Sequence, residues 1–231
     1  MTMGHNERSV QQHIDLLDKF VASDLRVVIA RVENAVRGFN DRQINEFLRV
    51  NDIKPELLSA AAEIKRISSQ IDVTMHALGI LSVLPHILED GEVVESVSLG
   101  AGNTGRKFDL ETNFRVAEFK FIKWRGGPES IRQNGIFKDF FDLATADTSK
   151  RRYLYLLGTK QALKFFNGRR AMGSVLSKNQ ATKEKFERLY GDIYKTVGHY
   201  FEVHSATVQI EDVSLWLPEF AEIPISDGPV A

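Results

Sequence analysis

Cysteine is absent from the 231 residues, so neither a disulfide framework nor a thiolate zinc site can form, and the cytoplasm is the default compartment. No run of 18 apolar residues occurs, which argues against a membrane span. The opening residues MTMGHNERSV lack an apolar signal region, so secretion is not expected. Net positive charge is missing too: the formal charge is −1, against what a general nucleic-acid binder would carry.

What is present is ordinary globular composition, 43% hydrophobic and 26% charged, in a chain long enough for one core or for a domain plus a helical extension. Charge is nonetheless segregated. Residues 150–185 hold ten Lys/Arg and one acid, whereas residues 202–231 hold six acids and no Lys/Arg. One basic surface, the footprint of a phosphate backbone, follows from such a split. A solvated basic helix face is the plainer alternative.

Two domains are expected. Residues 1–70 form a helical extension: Val10, Ile14, Leu17, Val21, Leu25, Val28, Val32 and Val36 recur at threes and fours. Asp41 is placed as the N-cap of a second helix and Pro55 in the first turn of a third. No catalytic constellation falls here, so the extension serves packing or dimerisation, or else partner binding or DNA positioning. Residues 71–231 form an α/β domain with a mixed sheet flanked by helices. A helix over 71–90 is followed by a strand over 92–99, two strands within 107–124, a helix from Glu129 to about Ala144 and a strand over 152–159. A short helix over 161–166, a longer one over 178–200, a last strand over 203–210 and an acidic tail complete the chain. Inside the helix over 178–200 are set Phe186, Leu189, Ile193 and Val197.

Lys107–Trp124, KFDLETNFRVAEFKFIKW, carries the chemistry. Its alternation predicts two strands joined by a turn at Thr112–Arg115. Phe108, Leu110, Ala117, Phe119 and Phe121 take one face, and Lys107, Asp109, Glu111, Glu118 and Lys120 the other. In the register the turn sets, Asp109 opposes Glu118, Glu111 opposes Val116 and Lys107 opposes Lys120. Opposed side chains have Cβ atoms roughly 4.5–5.5 Å apart, and two carboxylates that close repel unless a cation sits between them. Hard oxygen ligands suit Mg²⁺ or Mn²⁺. Lys120, two residues on, can orient a water or meet charge developing on a phosphate.

An acid followed, on the next strand, by Glu118-Phe119-Lys120 resembles the PD-(D/E)xK nuclease superfamily, over roughly residues 71–210. The proline that often precedes the first acid is Phe108 here. The bare acid-x-Lys triplet recurs at Asp52-Ile53-Lys54 and Glu63-Ile64-Lys65, both in helical stretches without an opposed acid. The resemblance implies a restriction-endonuclease-like core, in the order helix, three strands, helix, strand. It implies Asp109, Glu118 and the Phe119 carbonyl as metal ligands, Lys120 as catalytic, and a further acid, for which Asp72 on the preceding helix, with His76 one turn on, and Glu95 on the first strand are candidates. Gln133-x-x-x-Phe137 is similar to the Gln-x-x-x-Tyr pair of one exonuclease branch, with the hydroxyl lost. The implied activity is Mg²⁺-dependent hydrolysis of DNA, in restriction, phage defence or mobile-element processing; symmetric cutting of duplex would need two sites, and so a homodimer. The alternative is a retired nuclease fold acting as a nucleic-acid-binding or partner-binding module. Arg106, Lys107, Arg125, Arg151, Arg152, Lys160, Lys164, Arg169 and Arg170 are the candidate contacts to nucleic acid.

Gly100-Ala-Gly102-Asn-Thr-Gly105 matches the G-x-G-x-x-G dinucleotide pattern. The residues after it alternate with period two, so the helix whose N-terminus would hold a pyrophosphate is not expected.

Overall fold

The computed structural model of the chain describes residues 9–21, 24–100, 105–121, 124 and 129–222. Two compact units meet within one helix, at Asp72 and Val73. In the first, α1 (Val10–Val21) and α2 (Leu25–Val36) precede α3 (Asp41–Val50) and the N-terminal part of α4 (Pro55–Ile87). The cap of α3 is Asn40, not Asp41. Asn40 Oδ1 accepts from the Gln43 N–H, and Gln43 Oε1 accepts from the Asn40 N–H, a reciprocal capping box. Helix α4 runs unbroken for 33 residues where two helices were expected, because no glycine or proline interrupts it before Gly79. By length and composition α4 could cross a membrane, which the absence of an uninterrupted apolar run had argued against. Its last turns, through Ile80, Val83 and Ile87, are instead fully or almost fully buried in the core of the second unit.

That unit is mixed α/β. After α4 come β1 (Val94–Val97), β2 (Leu110–Thr112) and β3 (Arg115–Lys120), then α5 (Ser130–Ala144) and β4 (Arg151–Leu156). Four short helices follow, α6 (Lys160–Phe166), α7 (Met172–Leu176), α8 (Gln180–Tyr190) and α9 (Val197–His204), then β5 (Gln209–Asp212) and α10 (Pro218–Glu222). The five strands lie in sequence order, with β1–β2 and β2–β3 antiparallel and β3–β4 and β4–β5 parallel. Parallel neighbours need a crossover, and α5 supplies the one between β3 and β4.

Each face of the sheet has its own core. Ala117 and Phe119 of β3, with Tyr153 and Tyr155 of β4, pack beneath the end of α4. The intervening Val116, Leu154 and Leu156 pack beneath α5 and the later helices. Period-two alternation thus holds along β3, but the polar side of the hairpin is covered by α5 rather than solvated. Phe108 is a correction. It is buried in the α5-side core, not beside Leu110, because the ladder stops at Leu110 and the chain bends before it. For the same reason Lys107 does not oppose Lys120.

Further boundaries differ for local reasons. The helix expected over 178–200 is two, since Gly191, at φ 51°, ends α8 and Thr196 caps α9 through the His199 N–H. Leu189 and Ile193 are therefore exposed rather than inside. Val203 lies on α9, and β5 begins only at Gln209, after a turn of 3-10 helix.

The far end of the hairpin is held by a buried cation. Arg115, 3% exposed, donates from Nε and Nη2 to Glu92 (both 2.6 Å), from Nη2 to Glu89 (2.8 Å) and from Nη1 to the Tyr155 hydroxyl (2.7 Å). The Glu92 side chain is wholly buried. Removing one partner of a buried pair strands the other charge, at about 3–5 kcal/mol. Arg115→Met is expected to lose stability of that order in urea denaturation, and Arg115→Met with Glu92→Leu to recover part of it. A variant as stable as the parent would show that Glu92 does not depend on this cation.

Candidate metal and phosphate site

Strand register brings the two acids together. Leu110 pairs with Ala117 and Glu111 with Val116, and just past the end of that ladder the Asp109 and Glu118 carboxyls meet side chain to side chain. The ladder does not continue by main-chain bonds. Asp109 turns its carboxylate into the next acceptor position, where Oδ2 takes the Phe119 N–H at 3.0 Å. The N–H and C=O of a strand residue point to the same neighbour, so the Phe119 carbonyl also faces the Asp109 side. Asp109 Oδ1 lies 3.5 Å from His76 Nε2 on α4.

Lys120 leaves β3 on the same face as Glu118, beneath α5. Its Nζ sits 2.8 Å from Oδ2 of Asp139, a buried acid of α5 that had not been singled out in the sequence. The signal for it was legible: Asp139 falls between Ile136 and Leu143 on a buried stripe of α5, where a carboxylate needs a partner. His76, Asp109, Glu118, Lys120 and Asp139 thus cluster at the C-terminal end of β3. In open α/β sheets, ligands bind outside the carboxyl ends of parallel strands.

Charge within this cluster is out of balance. Burial, then the charges of Asp109 and Asp139, push the Glu118 carboxyl up to about 9. Burial also works to raise Asp109, but His76 and the Phe119 N–H outweigh it and hold Asp109 below its usual range. Burial would lower the Lys120 ammonium, and its pairing with Asp139 reverses this and holds it above its ordinary value. Of the two acids that meet, one therefore stays a carboxylate and the other keeps its proton, with the Lys120–Asp139 pair beside them, where two carboxylates would otherwise repel. Hard oxygens held together at the cost of a proton are a donor set that a divalent cation fits in kind. Among the described residues, no group of three or more His, Asp or Glu side chains closes around one point to complete a metal site.

The other candidates are dispersed. Glu95 is exposed on β1, where the register shifts between Val94 and Ser96, and meets Lys150 at 2.6 Å. Lys150 also meets Glu111 at 2.8 Å, so Glu95 belongs to a cross-strand ion-pair cluster rather than to the site. Asp72 is exposed on α4 and belongs to the first unit. Gln133, half-buried on α5, accepts from Arg170 Nη1.

The basic run does not form one surface beside the acids. Arg151 pairs with Arg115, and five strand residues, about 17 Å at ~3.3 Å each, separate that end of β3 from Lys120. There Arg151 is tied to Glu89 at 2.7 Å, and Arg152 donates to the carbonyls of Ala146 and Thr148. Lys160, Lys164 and Arg169 are exposed on α6 and in the segment after it, with Arg170 half-buried beside them. Arg106 and Lys107 are exposed, Arg106 donating to the Val97 carbonyl and Lys107 lying 5.3 Å over the Phe108 ring. Arg125 lies outside the described residues, as does much of the glycine-rich segment. Of that segment, Gly105 precedes no helix, so a pyrophosphate-binding helix start is not formed there.

Comparison with protein-family models, with curated proteins and with solved structures returned no match.

The Glu118 shift has a consequence for stability. Below about pH 4.5 the carboxyl is protonated in both folded and unfolded chains and costs nothing. Between there and about pH 9 the unfolded chain gives up a proton that the folded chain keeps, so stability falls as pH rises. Glu118→Gln is expected to resist urea better than the parent at pH 8.5, with the gap narrowing by pH 5. A parent more stable than the variant at pH 8.5 would contradict the assignment.

Proposed function

We propose that the chain is a divalent-metal-dependent phosphodiesterase acting on DNA, on a restriction-endonuclease-like core. The observation that carries this reading is the meeting of Asp109 with Glu118 at the end of β3, with Lys120 two residues on and the Phe119 carbonyl turned toward Asp109. The order α4, three strands, α5, β4 agrees with that core and is independent of the site residues.

In this reading Asp109, Glu118 and the Phe119 carbonyl would hold Mg²⁺ or Mn²⁺, which when bound would supply Lewis-acid polarisation of a phosphate and a more acidic water. Glu118 must shed its proton to take part. Lys120 stays charged beside Asp139 and so acts through its positive charge, orienting a water or meeting the transition-state phosphate, rather than as a proton acceptor. Asp139 is a positioning residue that aims the ammonium from behind. Lys164 and Arg169 are the exposed cations suited to carry the strand toward the site.

Asp109→Ala and Lys120→Ala are each expected to lower metal-dependent nicking about 10²- to 10³-fold without loss of fold, the cost of removing one preorganised electrostatic group. Asp139→Asn keeps the shape and loosens Lys120, so kcat falls by less than in Lys120→Ala, with KM little changed. A screen over single-stranded, duplex and branched DNA with Mg²⁺ or Mn²⁺ measures this. Cleavage that survives in both alanine variants would overturn the assignment.

A second reading is favoured by one observation, the lack of a third acid or histidine around a common point among the described residues. In that reading the fold is a retired nuclease that binds nucleic acid. It predicts salt-dependent DNA binding with no metal-dependent product on any substrate form.

A further inference from the structure

Beyond Lys120 the sheet opens into a cavity of about 230 Å³, bounded by Lys120, Trp124, Gly135, Ile136, Leu156 and Ala162. Its walls are apolar apart from Lys120 and Arg132. Trp124 also lines a second cavity, of about 320 Å³, with Gln133, Lys164 and Arg170 in its lining. An apolar slot with Lys120 in its lining thus shares an aromatic ring with a space lined by two further cations.

Two features of the slot have no explanation inside the protein. Gly135 lies in the interior of α5, where glycine is less stable than alanine. Its φ is not positive, and no atom lies within 4 Å of where its Cβ would stand. Neither backbone conformation nor internal packing therefore requires glycine there. What its missing side chain does is keep the slot open. The second feature is the Trp124 indole N–H, which is enclosed yet has no hydrogen-bond partner among the described residues. Buried donors without a partner are rare, and a ligand acceptor would satisfy this one.

We propose that this slot receives an unpaired nucleobase, on a strand whose neighbouring phosphate lies at Lys120. A flat base with apolar faces, flanked along its strand by phosphates, matches an apolar slot that has Lys120 in its lining and Lys164 and Arg170 in the adjoining space. The Trp124 ring offers a stacking face that tolerates any base. A base paired in duplex cannot enter, so the substrate presents a single-stranded or unpaired nucleotide. This deepens the phosphodiesterase reading and rests on it for the phosphate at Lys120.

The test is fluorescence anisotropy in EDTA, with labelled single-stranded oligothymidine as one probe and duplex of equal length as the other. The full chain is expected to bind the single strand more tightly. Gly135→Leu fills the slot and is expected to weaken single-strand binding about 5- to 150-fold, the range one stacked base supplies, while duplex binding is unchanged and Tm does not fall. Gly135→Ala should fall between. Should Gly135→Leu fail to fold, Trp124→Ala carries the same expectation. Equal loss on both probes, no loss on either, or no preference for single strand would overturn the base site. Cleavage in Mg²⁺ or Mn²⁺ separates the two ideas. Cleavage with an unaffected Gly135→Leu leaves the nuclease reading and removes the slot, whereas a Gly135 effect on single strand without any product keeps the slot and removes the nuclease.

Discussion

Two carboxylates placed on opposed positions of one hairpin repel, and the second unit is arranged around containing that repulsion. Asp109 is held ionised by the Phe119 N–H and by His76 from α4. Glu118 answers by retaining its proton into the alkaline range. Lys120, partly exposed, and the buried Asp139 add an ion pair beside them. Contacts from both faces of the sheet therefore converge on the end of β3, one through a histidine and one through an acid of α5. Replacing a main-chain ladder bond by a side-chain carboxylate is what brings the first acid into this geometry.

The two ends of β3 solve opposite problems. At Arg115 a guanidinium, over the Tyr153 ring at 4.7 Å, meets two glutamates and a tyrosine, and Arg151 brings the second positive charge to Glu89. That end is electrically complete, and it locks β1, β2 and β4 in register. At Glu118 and Lys120 the charges are incomplete, with a proton standing in for a cation. A fixed end and an unfulfilled end on one short strand are what a preorganised site needs, since the rigid part positions the reactive part.

Much of this was legible in the amino-acid sequence. Alternation and the turn at Asn113-Phe114 gave the register of β2 and β3, because both are local and set by period two. The covering of the polar face by α5 was not legible, since it depends on a crossover connection, and Asp139 was legible only as an acid on the buried stripe of α5, not as the partner of Lys120. Glu95 went the other way: a candidate further acid on the first strand, it lies at a register shift of β1 and meets Lys150 instead. Charge counting along residues 150–185 also misled. Lys150, Arg151 and Arg152 neutralise acids and carbonyls at the far end of the sheet, and only the later cations lie past its C-terminal end. Boundaries failed where single residues decide them, as Asn40 does for α3 and Gly191 for α8.

The central claim is that Asp109 and Glu118 together demand a divalent cation, and calorimetric titration of Mn²⁺ into the metal-free protein near pH 8 tests it most directly. Run in two buffers of different ionisation enthalpy, the titration reads proton release along with binding. The account predicts one bound ion, release of close to one proton as Glu118 ionises, and loss of both signals in Asp109→Asn. Binding without proton release, or none at all, would contradict it.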